Sequence, residues 1–184
     1  MGLADLHKPH KKIIGIDAST NSFAFCLMDG DKIKKWGEIN FRGDTVYERI
    51  LDAKNKIKAI KDQLDYDFIV IEAAVSVKSV ATGLKMAYVF GTIMGELMHD
   101  NIKVVEVHPI TWQSYLGNKN FTKAEKENVR KDYPGKSENW YKAKIREIRK
   151  NKTIDFAATL GVKTDSDNVA DSVGIAWYAL NEII

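Results

Sequence analysis

The segment FIVIE, residues 68–72, is apolar without alternation and stops on a carboxylate. A strand of that composition has both faces covered, so it belongs inside a sheet with helices on either side. The run IIGID at residues 13–17 has the same make-up. Two such strands restrict the chain to a layered α/β architecture. If they are neighbours, Asp17 and Glu72 emerge side by side at one end of the sheet.

The remaining segments order themselves around this pair. Three β-rich runs come first, KKIIGID, SFAFCLMD and KIKKWGEINF, and Asp29-Gly30-Asp31 is a hairpin signal, which predicts an antiparallel meander. Thr45 and Glu48 form a capping-box pattern. Val46, Ile50, Ala53, Ile57, Ile60 and Leu64 follow at helical spacing, predicting a helix that ends near Asp65. A second helix is expected from about Ser79 to His99, with Val80, Leu84, Ala87, Gly91, Met94 and Met98 on one face. The strand KVVEV follows, and Pro109 opens a short helix. Thr122 and Glu125 cap a polar helix that Pro134-Gly135 breaks. A basic helix over roughly Glu138 to Lys150, a short one over Thr153 to Leu160 and a last helix from near Asp167 complete the chain. The pattern βββαβαβα, with extra helices before the last, predicts a mixed five-stranded sheet of three antiparallel and two parallel strands, flanked by helices. It fits one domain over residues 11–184, with residues 1–10 as a tail and a basic helical segment at about 131–152.

No apolar run approaches the roughly 20 residues that span a bilayer, and residues 1–12 lack the apolar stretch of a secretory signal, so a cytoplasmic protein without a membrane partner is expected. The lone Cys26 sits in FAFCLM and reads as a buried structural thiol. Charge is unevenly distributed. Residues 119–152 hold twelve Lys or Arg against five Asp or Glu, a local +7, whereas residues 165–184 hold four acids and no base. A basic face beside an acidic pocket suits a polyanion held over a metal site.

The acids supply that pocket. Asp17 and Glu72 end apolar strands, and Asp165, Asp167 and Asp171 cluster at the start of the last helix. Converging carboxylates repel one another unless cations lie between them, and hard divalent ions such as Mg²⁺ take oxygen ligands. Asp167 and Asn168 stand four and three residues before Asp171, so either can share its helix face. Asp165 is expected in the preceding loop.

Taken in order, GIDAST, IVIEAA, ATGLKMAYVFG, VVEVHPITWQSYLG, AEKENV and DNVADSVGIAW resemble the motifs of the RuvC-type Holliday junction resolvases, over about residues 12–130 and 165–180. The resemblance implies an RNase H-like fold, a homodimer, and nicking of two strands at a four-way DNA junction with two Mg²⁺ ions per active site, Mn²⁺ substituting. Asp17, Glu72 and Asp171 match three of that family's four acidic ligands. The fourth falls on Asn168, so either Asn168 serves as a weaker ligand or the adjacent Asp167 replaces it, and the charged Asp167 is the expected catalytic residue of the two. Lys126, in AEKENV, matches a family lysine near the scissile phosphate, where a cation stabilises developing charge. Lys119, Lys123, Arg130, Lys142, Lys144 and Arg146 are further candidates for DNA contact. His108 is expected as a hydrogen-bonded residue at a strand end rather than a proton shuttle, and Val75 and Val77 as packing residues, with a wedge into the junction as the alternative.

Other readings make different demands. GIDAST followed by Asn21 and Ser22 also resembles the first phosphate loop of actin-like ATPases, but those need a second Gly-rich loop and a second domain that this chain lacks. A general nuclease acting on branched DNA, or a non-catalytic junction-binding protein, are the alternatives that share this fold. The helix Ser79 to His99, apolar on more than one face and carrying Gly91 and Gly95, is the expected dimer contact.

Overall fold

The computed structural model describes residues 11–73 and 79–184. The tail and the wedge candidates Val75 and Val77 lie outside the described residues. Five strands form one sheet: β1 (Lys12–Ala18), β2 (Ser22–Asp29), β3 (Lys32–Asn40), β4 (Phe68–Glu72) and β5 (Lys103–Val107). Their spatial order is β3-β2-β1-β4-β5. The meander β1 to β3 is antiparallel, and β4 and β5 run parallel to β1. The mixed sheet expected from the sequence is therefore present. β3 is an edge strand, and its Lys32, Lys34 and Lys35 discourage pairing with another chain.

Helices α1 (Val46–Ile60) and α2 (Val80–Leu97) cover one face of the sheet. The capping box at Thr45 and Glu48 starts α1, and Val46, Ala53 and Ile57 turn inward. They pack with Ile14, Ile16, Phe23, Ile69 and Ile71 from the sheet. For α2 the expected face is corrected. Its buried residues are Val89, Ile93, Met94 and Leu97, while Val80, Leu84 and Met98 are exposed. A helix apolar on several sides has more than one solution to its periodicity, and packing on α1 chose this one.

The other face is covered by α3 (Pro109–Tyr115), α5 (Glu138–Thr159) and α6 (Asp167–Glu182), with α4 (Lys123–Asp132) packed on α5. The two helices expected between Glu138 and Leu160 are one 22-residue helix. Nothing in RKNKT breaks it, since no Gly or Pro intervenes. Thr153, at the supposed junction, is buried and accepts a hydrogen bond from Asn118 Nδ2 at 3.0 Å. Cys26 is fully buried on this side of the sheet, and burial pushes its thiol up to about 12. Helix α6 lies directly on β1. An ideal Cβ built at Gly15 would stand 2.5 Å from the Ser172 carbonyl oxygen and 2.6 Å from Ala176 Cβ, so only glycine permits this approach. Among the described residues no helix is long and apolar enough to cross a membrane.

Candidate metal centre and nucleic-acid cleft

Strand register assembles the acids. Asp17 pairs with Ala24 on β2, and Ala24 pairs with Glu38 on β3. On the other side, Ile16 pairs with Ile71 in parallel register, so Asp17 and Glu72 are the next residues along their strands. Residues in one cross-strand row share a face. Glu38, Asp17 and Glu72 therefore point to the same side of the sheet, with the small Ala24 between two of them. That is the side covered by α6, which contributes Asp167 and Asp171 from its first two turns.

The proximity of these groups is written in their ionisation. Burial, then repulsion from Glu72, Asp167 and Glu38, raises Asp17 to about 7, with Lys150 opposing. Burial, then Asp17, Glu72 and Asp167, raises Asp171 to about 8, against a hydrogen bond with the Thr153 side chain. Burial also raises Glu72, countered by the Trp112 indole N–H and by nearby His108. The Trp112 bond is direct: Nε1 donates to Glu72 Oε2 at 2.8 Å, and the Trp112 ring is fully buried, which fixes the carboxylate.

The fourth acidic position resolves into two different environments. Asp167 forms an ion pair with Lys150 of α5. Asn168 donates from Nδ2 to Glu38 Oε1 at 2.6 Å and, more weakly, to Ser22 Oγ at 3.4 Å. The amide nitrogen faces Glu38, so Asn168 keeps its carbonyl oxygen for another partner. The second oxygen of Glu38 accepts from Ser166 Oγ at 2.6 Å, and that hydroxyl in turn caps α6 by accepting from Val169 N at 3.2 Å. Glu38 thus ties the start of α6 to β3. Sequence reasoning missed it, because its place in the acidic row depends on register across two strand pairs.

The donor set suits a hard divalent cation. It is all oxygen, it is partly buried, and Asp17 and Asp171 are held above their ordinary range by burial first and by mutual repulsion second, the part that a cation would relieve. Among the described residues no three or more of His, Cys, Asp and Glu form a closed ion-holding group. Asp167 or Asn168 would complete the arrangement, Asp167 with the oxygen that Lys150 does not hold.

A cleft of about 530 Å³ opens beside the acids, lined by Asp17, Asp167, Asn168 and Asp171 on one wall. Lys142, Arg146, Arg149 and Lys150 line the other, all from α5 at successive helical turns. Gln113 and Asn118 also border it. Of the sequence-derived DNA candidates, Lys142 and Arg146 stand in this cleft. Lys119, Lys123 and Lys126 are exposed and do not line it. Arg130 forms an ion pair with Glu138 and stacks on Tyr141, and Lys144 pairs with Glu147 and lies over Tyr133. Those two basic residues fasten the corner between α4 and α5. Asp165 is exposed in the loop before α6. His108 caps α3, with Nδ1 accepting from Ile110 N at 3.3 Å. Lys150, which pairs with Asp167, and Arg149, which also lines the cleft, were not singled out by the sequence because nothing in a basic run marks which side chains face inward.

No protein-family model matches the chain, and no curated protein matches it. Solved structures do. Thermus thermophilus RuvC in complex with Holliday junction substrate is similar with a TM-score of 0.63 at 13% identity, covering 94% of this chain and 97% of that one. A second Thermus thermophilus RuvC structure gives 0.60 at 11% identity, covering 91% and 95%. The yeast mitochondrial Holliday junction resolvase Ydc2 gives 0.52 at 14% identity, covering 94% and 78%. The chain has the RuvC-type, RNase H-like fold over most of its length.

Proposed function

We propose that this protein is a divalent-metal-dependent DNA endonuclease that resolves four-way junctions by paired nicks, working as a homodimer. The observation that carries the reading is the cleft itself. A partly buried row of carboxylates on β1, β3 and β4 meets Asp171 of α6, and a ridge of cations on α5 lines the same cleft as Asp17 and Asp171. Acids alone would repel a nucleic acid, and cations alone would only bind it. Their juxtaposition puts a phosphodiester next to groups able to hold Mg²⁺. The fold supports the same reading, since a RuvC of this fold is found in complex with Holliday junction substrate.

Asp17, Glu72 and Asp171 would hold the metal, with Asn168 or Asp167 completing its shell. When bound, Mg²⁺ supplies Lewis-acid stabilisation of the phosphoryl oxygens and a more acidic water. The chain's own residues prepare the rest. Trp112 holds Glu72 in one orientation, Glu38 fixes the Asn168 amide, and Lys150 neutralises Asp167 until a stronger cation competes for it. The α5 cations hold the backbone phosphates, and the salt dependence of binding should be steep.

The homodimer rests on α2. Val80, Leu84, Tyr88 and Met98 are exposed along one stripe, and Gly91 and Gly95 lie on the same stripe with nothing near where a Cβ would stand. An apolar stripe with two glycines lets a second helix approach closely, and a two-fold axis would match the symmetry of a four-way junction.

A nicking assay on a synthetic four-way junction beside a linear duplex, in Mg²⁺ and in chelator, tests the function. Symmetrical nicks in the junction alone, abolished by chelator, are expected. Equal cutting of both DNAs would replace junction resolution with general nuclease activity, and metal-independent binding without cutting would leave a non-catalytic junction binder.

A further inference from the structure

Arg149 differs from the other basic residues of α5 in how it is held. Its Nη2 donates to Gln113 Oε1 at 2.5 Å and to the Asn118 carbonyl oxygen at 3.5 Å, and its Nε donates to Asn118 Oδ1 at 3.4 Å. Asn118 is itself fixed. It is 96% buried, its exposure being 4%, and its Nδ2 donates to the Arg149 carbonyl oxygen at 2.9 Å and to Thr153 Oγ1 at 3.0 Å. The braces are neutral amide oxygens. Among the described residues no carboxylate forms an ion pair with Arg149, whereas Lys150, Lys144 and Arg130 each have one. Its Nη1 has no protein partner among the described residues.

An arginine meant only to stabilise the fold would be cheapest beside an acid. Here acids line the opposite wall of the same cleft, yet the guanidinium is braced by groups that orient it without neutralising it. Such an arrangement keeps the full charge and removes the rotamer entropy that a flexible side chain loses on binding an anion. A planar fork with free N–H groups matches the oxygens of a phosphate.

We propose that Arg149 is a pre-organised phosphate clamp, positioned by Gln113 and Asn118 to hold a backbone phosphodiester of the DNA strand lying in the acidic cleft. The proposal rests on the nucleic-acid reading of that cleft, and it separates Arg149 from the solvated cations of α4. It also assigns a role to the α3–α4 connection, which carries Asn118: that segment sets the angle of the clamp.

The experiment measures binding of a fluorescent four-way junction by anisotropy across a salt series in chelator, and nicking of the same junction in Mg²⁺. Arg149→Gln, which keeps a hydrogen-bonding side chain beside Asn118, and Arg149→Ala should each lower the slope of log K against log salt by about one. Arg149→Lys should restore the slope but not the nicking rate, because it returns charge without the fork. Gln113→Ala should leave the slope intact and slow nicking. Thermal melts identify any variant that fails to fold, and the Gln and Lys variants then decide. Unchanged slopes in both Arg149→Gln and Arg149→Ala overturn the clamp even if the wild type resolves junctions. The predicted slope change in a protein that never nicks would support the clamp and remove the nuclease assignment instead. A wild type that binds neither junction nor duplex overturns both.

Discussion

Asp17 is the residue on which the charge of the site converges, since Glu72, Asp167 and Glu38 all act on it. Replacing it by Asn removes a ligand charge and leaves the α5 ridge untouched, so Asp17→Asn should abolish nicking while junction affinity persists. Nicking within roughly tenfold of wild type would reject Asp17 as a metal ligand. The raised acids also predict a pH dependence in the metal-free protein. Asp17 at about 7 and Asp171 at about 8 lie well above the ordinary aspartate value, so the folded state binds protons that the unfolded state has already released. Their favourable contribution is complete below pH of about 4 and is lost as pH rises through 7 to 8. Thermal midpoints in chelator should therefore fall between pH 5.5 and 8.5 by more than in the double variant Asp17→Asn, Asp171→Asn, and Mg²⁺ should recover most of the loss at the upper pH. A midpoint that rises over that range in chelator would contradict the burial of these acids. The fourth ligand is decided next door. With its amide held by Glu38, Asn168 is favoured over the Lys150-paired Asp167 as the oxygen donor, so Asn168→Ala should weaken Mn²⁺ binding, read by calorimetry, more than Asp167→Ala does. The reverse ranking would assign the position to Asp167.

At the scale of elements, the site depends on how closely α6 lies on β1. Gly15→Ala would push a methyl group against the Ser172 carbonyl and Ala176, and α6 can relieve the clash only by shifting the helix that carries Asp171. Destabilisation of about 2 kcal/mol or more is expected in urea denaturation, together with loss of nicking. Stability within about 0.5 kcal/mol of wild type would show that α6 can slide without consequence. The same contact explains which parts of the site the sequence reveals. Asp17, Glu72 and Asp171 are legible because each interrupts or ends an apolar element, where a charge has no packing reason to stand. Glu38 is not, because β3 is a half-exposed edge strand rich in charge, and its alignment with Asp17 runs through β2, whose pairing with β3 shifts register between Leu27 and Met28. The cations of α5 are hidden for a related reason. A basic helix shows its charge in the sequence but not the face that turns toward a cleft, and reading two helices there cuts Thr153 off from the cations it follows. The meander, the parallel pair and the capped helices were legible because hairpin, capping-box and apolar-run signals are local, whereas register and helix phase are set by contacts across the fold.

At the scale of the whole molecule, the open question is what covers α2, and the two glycines give a test whose sign separates the answers. In an isolated chain Gly91 and Gly95 are exposed, with nothing within 4 Å of an added Cβ, so alanine at either position should stabilise the helix by up to about 1 kcal/mol. If the same stripe meets its symmetry mate, those methyl groups hold two backbones apart and the association weakens. Gly91→Ala and Gly95→Ala should therefore raise the thermal midpoint at nanomolar protein and lower the fraction of dimer at micromolar protein, followed by light scattering. Leu84→Glu, which places a charge in the middle of the stripe without touching the buried Val89, Ile93 and Leu97, should give a folded monomer. That monomer is also informative about resolution. Each chain carries its own acids and its own α5 ridge, so it should still nick a junction once, but the two opposed strands should no longer be cut together. A wild-type protein that stays at 20.8 kDa at micromolar concentration and binds one chain per junction would remove the dimer, and with it the coupling of the two nicks.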